Sequence, residues 1–157
     1  MLISLPAGSG FSLWGEGDDG QGRFLLNLER TAVPTCSSLS ALGALIDSGE
    51  MEQLGGRPEL QEDAVAEFDF VATSDWIATA RDRSSPQVGQ VLDCLDVSLD
   101  LARQLGDSRM ISLLSQPSRP LCKVFDFVWD EREMPPGPAA VIDYCELMAW
   151  WQFKIQY

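Results

Sequence analysis

Residues 85–106 read SPQVGQVLDCLDVSLDLARQLG, and the class of fold turns on them. Ser85 suits a helix N-cap, Pro86 suits the first helical position with its preset φ, and Gly106 suits the stop. Between them Val88, Val91, Leu92, Leu95, Leu99, Ala102 and Leu105 recur at helical spacing, which predicts one long amphipathic helix with Leu95 buried at its middle. Asp93, Asp96 and Asp100 stand at i, i+3 and i+7 on a face away from the leucines. That row costs the helix a few tenths of a kcal/mol per like-charged pair, and only Arg103 is near enough to relieve it. A repulsive row without local compensation points to use, so these three carboxylates are candidate partner-binding residues.

Upstream, the pattern is β-like. Leu2 to Leu5 predicts a short strand, and Phe11 to Trp14 and Phe24 to Leu28 predict the arms of a hairpin around the turn formers of residues 17–22. Leu39, Leu42, Leu45 and Ile46 predict a first helix over about 38–53, with Thr35 to Ser38 as candidate caps. After a polar connection at 55–63, Glu67 to Val71 reads as a strand with both phenylalanines on one face and Asp69 on the other, and 73–83 reads as a helical turn.

Downstream, Asp107-Ser108 predicts the cap of a short helix through Leu114, and Leu121 to Trp129 alternates like a third strand region. Met134 to Pro138 is a stiff linker into a last helix over about 139–150, with Val141, Ile142, Cys145, Met148 and Ala149 inward and Asp143 and Glu146 facing solvent. Residues 151–157 either prolong that helix or fold back as a terminal strand. The tetrapeptide Phe-Asp-Phe-Val occurs at 68–71 and again at 125–128, a match too short to carry an internal duplication. Strands first, then strands alternating with helices, predict a single α+β domain over 1–157. Its expected form is a mainly antiparallel sheet against about three main helices, with a parallel α/β sheet as the alternative.

Charge sets the function classes. Twenty-four Asp plus Glu oppose 11 Lys plus Arg, and histidine is absent, for a formal charge of −13 over 157 residues. Such a surface repels nucleic acid and anionic membrane and attracts a basic protein within a Debye length of about 8 Å. Without imidazole the commonest general base and metal ligand are missing, which disfavours an enzyme. No phosphate-binding loop, nucleophile elbow or dinucleotide fingerprint occurs, and Gly8-Ser9-Gly10 precedes a strand without the later glycine. Cys36, Cys94, Cys122 and Cys145 are too dispersed for a zinc site and are expected to be separate core thiols, Cys94 and Cys145 on apolar helix faces. No cofactor or metal is expected. The absence of a signal-peptide pattern and of a long apolar run predicts a cytoplasmic protein.

Two further groups are candidates for a binding face. Asp126, Asp130, Glu131 and Glu133 form the densest acidic cluster, and a carboxylate-dependent hydrolase using a hard metal is the catalytic alternative it suggests. The chain has five tryptophans, of which Trp14 and Trp129 are expected in the core. Trp150 and Trp151 are adjacent and point about 100° apart on a helix, so at least one is expected at the surface as an anchor. In size and charge, though not in any motif, the chain resembles small immunity proteins that neutralise bacterial toxins. That profile implies an acidic binder occluding a basic active site. The alternative is a secretion chaperone or adaptor that binds a client segment through an apolar groove or sheet edge.

Overall fold

A computed structural model describes residues 1–16, 22–51, 60, 65–79, 82–130, 135 and 137–156. Its centre is the helix expected from residues 85–106, here α3 (Gln87–Gln104), which packs against elements from both the preceding and the following parts of the chain. Ahead of it come β1 (Leu2–Leu5), β2 (Gly8–Phe11), β3 (Trp14–Glu16), β4 (Gly22–Phe24), β5 (Val33–Pro34), α1 (Leu39–Ser48), β6 (Glu67–Asp69) and α2 (Phe70–Thr79). After it come α4 (Ser108–Ser115), α5 (Lys123–Trp129), α6 (Pro138–Lys154) and β7 (Ile155–Gln156). The class is α+β, with helices predominating.

Strand pairing is mixed rather than mainly antiparallel. β1 is central in a sheet ordered β2-β1-β6, antiparallel to β2 and parallel to β6. The expected hairpin exists in shortened form as β3 against β4, with Trp14 opposite Phe24, whereas Phe11 belongs to β2. β5 and β7 pair in parallel, so the chain after α6 turns into a terminal strand against Val33 and Pro34. The loop at 17–21 and most of the connection at 55–63 lie outside the described residues.

Local chemistry sets the helix ends. Ser38 Oγ accepts from the Ala41 N–H at 3.1 Å, and α1 stops at Gly49 with φ of 76°, a left-handed position that suits glycine. Asp69 Oδ1 accepts from the Val71 and Ala72 N–H groups at 3.0 and 2.9 Å, so the first Phe-Asp-Phe-Val copy is a strand that ends in a helix cap. The second copy lies wholly inside α5, which corrects the strand expected at 121–129 and removes the case for duplication. Leu121, Val124 and Phe127 are the buried positions there, an i, i+3, i+6 spacing that a helix satisfies and a strand does not.

Packing around α3 departs from the sequence stripe by a fraction of a turn. Val91, Cys94, Leu95, Val97, Ser98, Leu101 and Ala102 are buried, while Val88, Leu92, Leu99 and Leu105 flank them half-buried. Aromatic rings extend that core, Trp151 of α6 lying 5.6 Å from Phe24 and 5.2 Å from Phe70 between centroids. A polar ladder runs through it: the Trp151 indole donates to Ser98 Oγ at 2.8 Å, and Ser98 donates to the Cys94 carbonyl at 2.5 Å. Nearby, Tyr144 OH meets Thr73 Oγ1 and donates to the Phe70 carbonyl. Each polar side chain of this ladder therefore has a partner, which low dielectric demands.

Two long-range contacts place the outer elements. The Gln104 side chain forms a two-point clamp on the Phe24 backbone, accepting from its N–H at 2.7 Å and donating to its carbonyl at 2.8 Å, and so replaces a strand partner for β4. Asp143, expected at the surface, is buried instead: Arg119 donates to it at 3.2 Å and the Leu121 N–H at 3.4 Å, joining α6 to the turn before α5.

Candidate functional site

The acidic row is only partly available. Asp93 and Asp96 are exposed, whereas Asp100 is half-covered by the β3–β4 hairpin, where Gly22 lies directly against its Oδ2 and leaves no room for a Cβ. Burial, then the neighbouring Asp93 charge, raises the Asp96 carboxyl above its usual range. Burial likewise raises Asp100, against the pull of Arg103. A raised carboxyl in the folded state binds protons more readily than in the unfolded chain, so stability rises as pH falls from the folded value toward the ordinary one. At neutral pH the row is a cost. Replacing Asp93, Asp96 and Asp100 together by Asn is expected to raise unfolding stability by about half a kcal/mol through lost repulsion, and denaturant titration measures it.

The tryptophan pair is committed to the fold. Trp151 is fully buried, which corrects its assignment as a surface anchor: the same face of α6 that carries Tyr144 and Leu147 turns it into the core. Trp150 lies half-buried on the flank, its indole N–H donating to Asp107 Oδ2 at 2.8 Å. Asp107 also caps α4, accepting from the Met110 N–H at 3.1 Å. Burial alone would raise the Asp107 carboxyl, but the Met110 and Trp150 hydrogen bonds, with Lys154 nearby, hold it below its usual range. Stability from this group is complete above the ordinary carboxylate range and is lost as pH falls through its depressed folded value. Acid unfolding of Asp107→Asn is therefore expected to show a shallower loss below about pH 4 than the parent.

Trp129, expected in the core, is instead the most exposed tryptophan among the described residues, at 77%. In a strand it would share a face with Phe125 and Phe127. In a helix it stands about 200° from Phe127 and points outward. Its neighbour at i−3 on the same face is Asp126, exposed and outside any ion pair among the described residues, and exposed Asp130 follows at the helix end. α5 is short but held: Arg83 lies 4.2 Å over the Phe127 ring and donates to the Phe127 carbonyl at 2.5 Å and to the Asp130 carbonyl at 3.1 Å. Phe127 in turn packs on Trp76 of α2, with centroids 6.3 Å apart. Trp129 thus projects from a braced element. Glu131 and Glu133 lie outside the described residues.

A second surface runs along α6. Ile142, Cys145, Ala149 and Phe153, at i, i+3, i+7 and i+11, are all exposed, Ile142 at 69% and Phe153 at 83%. Ile142, Cys145 and Ala149 therefore correct the inward assignment, because the buried face of α6 is Ala140, Asp143, Tyr144, Leu147 and Trp151. Of the other thiols, Cys94 is buried, and burial pushes it up to about 12, so it is inert. Cys36 and Cys122 are half-buried. Among the described residues no group of three His, Cys, Asp or Glu side chains could hold a metal ion, and no helix is long and apolar enough to cross a membrane.

What the site defines is thus an α+β domain presenting a braced tryptophan among carboxylates, with a separate apolar helix face. No family model and no curated protein matches the chain. Among solved structures, it is similar to the SatS C-terminal domain, a crystal structure in complex with bromine, at a TM-score of 0.69 and 17% identity over 99% of this chain and 91% of that one. At that identity the likeness is one of fold.

Proposed function

We propose that this chain is an acidic protein-binding module that covers the cationic surface of a basic protein, in the manner of an immunity- or antitoxin-type inhibitor. The observation that carries the reading is Trp129, exposed on braced α5 beside Asp126 and Asp130. A large aromatic held rigid loses little entropy on docking, and tryptophan is the residue type most enriched at energetic centres of interfaces. The net charge of −13 supplies long-range attraction, with Asp93 and Asp96 as further exposed carboxylates. Binding, not catalysis, is the proposed activity.

The test has two stages. The tagged chain is used to capture its partner from the source cell, and the purified pair is followed by stopped-flow association from low to high salt. A basic partner whose association slows strongly with salt, and whose own activity falls at one-to-one stoichiometry, supports the inhibitor reading. A rate indifferent to salt overturns it.

The exposed face of α6 favours a second reading, a chaperone or adaptor that holds an extended client segment. Salt-indifferent binding of several unrelated clients, lost on Ile142→Ser/Phe153→Ser replacement, is its signature.

A further inference from the structure

Resting on the binding reading above, we infer that the group Trp129 receives is a cation: a single arginine or lysine side chain of the partner, laid on the indole face and paired to Asp126. The chain already uses this interaction internally, with Arg83 over Phe127 at 4.2 Å and Lys154 Nζ 5.8 Å from the Phe153 ring centre. Trp129 carries the best ring for it, yet among the described residues no cation and no second ring stacks on it. Lys and Arg total 11 against 24 acids, so an added cation is far better supplied by a basic partner than by a second copy of the same acidic chain.

Geometry adds the counter-charge. Asp126 sits one helical turn before Trp129 on the same face, the i, i+3 relation that brings side chains within about 6 Å of each other. A guanidinium spans that interval, stacking flat on the indole while its edge N–H groups reach a carboxylate. Lysine fills the site as a point charge without the flat contact. Hydrophobic insertion of Trp129 into a partner pocket is the competing mode, and it makes a different demand, since it gains nothing from Asp126.

The probe is a dodecapeptide of alternating arginine and glycine, with matched peptides carrying lysine, citrulline or norleucine in place of arginine. Each is titrated into the full-length protein while the five indole N–H resonances are followed by NMR, Trp129 being assigned by its loss in Trp129→Phe. The arginine peptide is expected to shift the Trp129 indole and the Asp126 amide, and its δ-methylene protons are expected to move upfield under the ring current. Lysine follows more weakly, and citrulline and norleucine leave the signal in place. Trp129→Leu is expected to weaken the arginine peptide about three- to tenfold, and Asp126→Asn about twofold. Equal shifts with the norleucine peptide overturn the inference. So do arginine-peptide shifts that map to the Asp93–Asp96 face with Trp129→Leu binding like the parent. If the captured partner loses affinity to Trp129→Ala while the arginine peptide leaves the indole unmoved, the binding surface stands and the cation does not. If Trp129→Ala leaves the partner's affinity unchanged, the surface itself falls.

Discussion

Replacing Trp151 by alanine is expected to cost about 3 to 5 kcal/mol of folding stability, the range for emptying a buried aromatic site. Trp151 is fully buried and bridges β4 through Phe24, α2 through Phe70, and α3 through its hydrogen bond to Ser98. Its loss opens a cavity between three elements that reach it from different parts of the chain. A domain of ordinary stability, about 5 to 15 kcal/mol, keeps little after such a loss. Trp151→Phe retains a ring and forfeits the indole donor, so it is expected to fold with a smaller deficit and to give a measurable transition where alanine does not. A loss under about 1 kcal/mol for Trp151→Ala in urea titration would contradict the central place of this side chain.

Leu95→Ala is expected to cost about 2 to 5 kcal/mol, because Leu95 is fully buried on the core face of α3 beside Val91, Ser98 and Ala102 and its truncation leaves a cavity there. Alanine's better helix propensity offsets only a few tenths of that. A loss below about half a kcal/mol would show that α3 is not the axis of the core.

The extent of α3 was legible because capping chemistry and apolar period agree over five turns: Ser85-Pro86 and Gly106 bracket a helix observed at Gln87–Gln104. Its buried face was less so. Beyond Cys94, which was read as a core thiol, Val97, Ser98 and Leu101 carry part of it, and a leucine stripe cannot reveal that a hydroxyl-bearing residue faces the same core. At 121–129 the alternation of Val124-Phe125-Asp126-Phe127-Val128 imitates a strand, and what makes it a helix is tertiary: the Phe127–Trp76 packing and Arg83 reaching back across 44 positions to the end of α5. No local window contains that information. The misread period also hid the candidate site, because strand geometry buries Trp129 with Phe127, and helix geometry turns it out. Asp143 was misplaced for the same reason, its partners Arg119 and the Leu121 N–H coming from another element. The acidic row was read correctly as a row, yet the hairpin that covers Asp100 depends on Gln104 clamping Phe24, a contact across 80 positions.

The most direct test of Trp129 as the centre of a protein-binding surface is calorimetry of its alanine variant with the basic protein the parent chain captures. Exposed at 77% and outside the core, Trp129 is expected to be replaceable with an unfolding midpoint within error of the parent. Partner affinity of Trp129→Ala is expected to fall by about 2 kcal/mol or more, some thirtyfold, as for an aromatic hot spot. Affinity equal to that of the parent, in a variant of equal stability, would contradict it and move the interface to the Ile142–Phe153 face of α6.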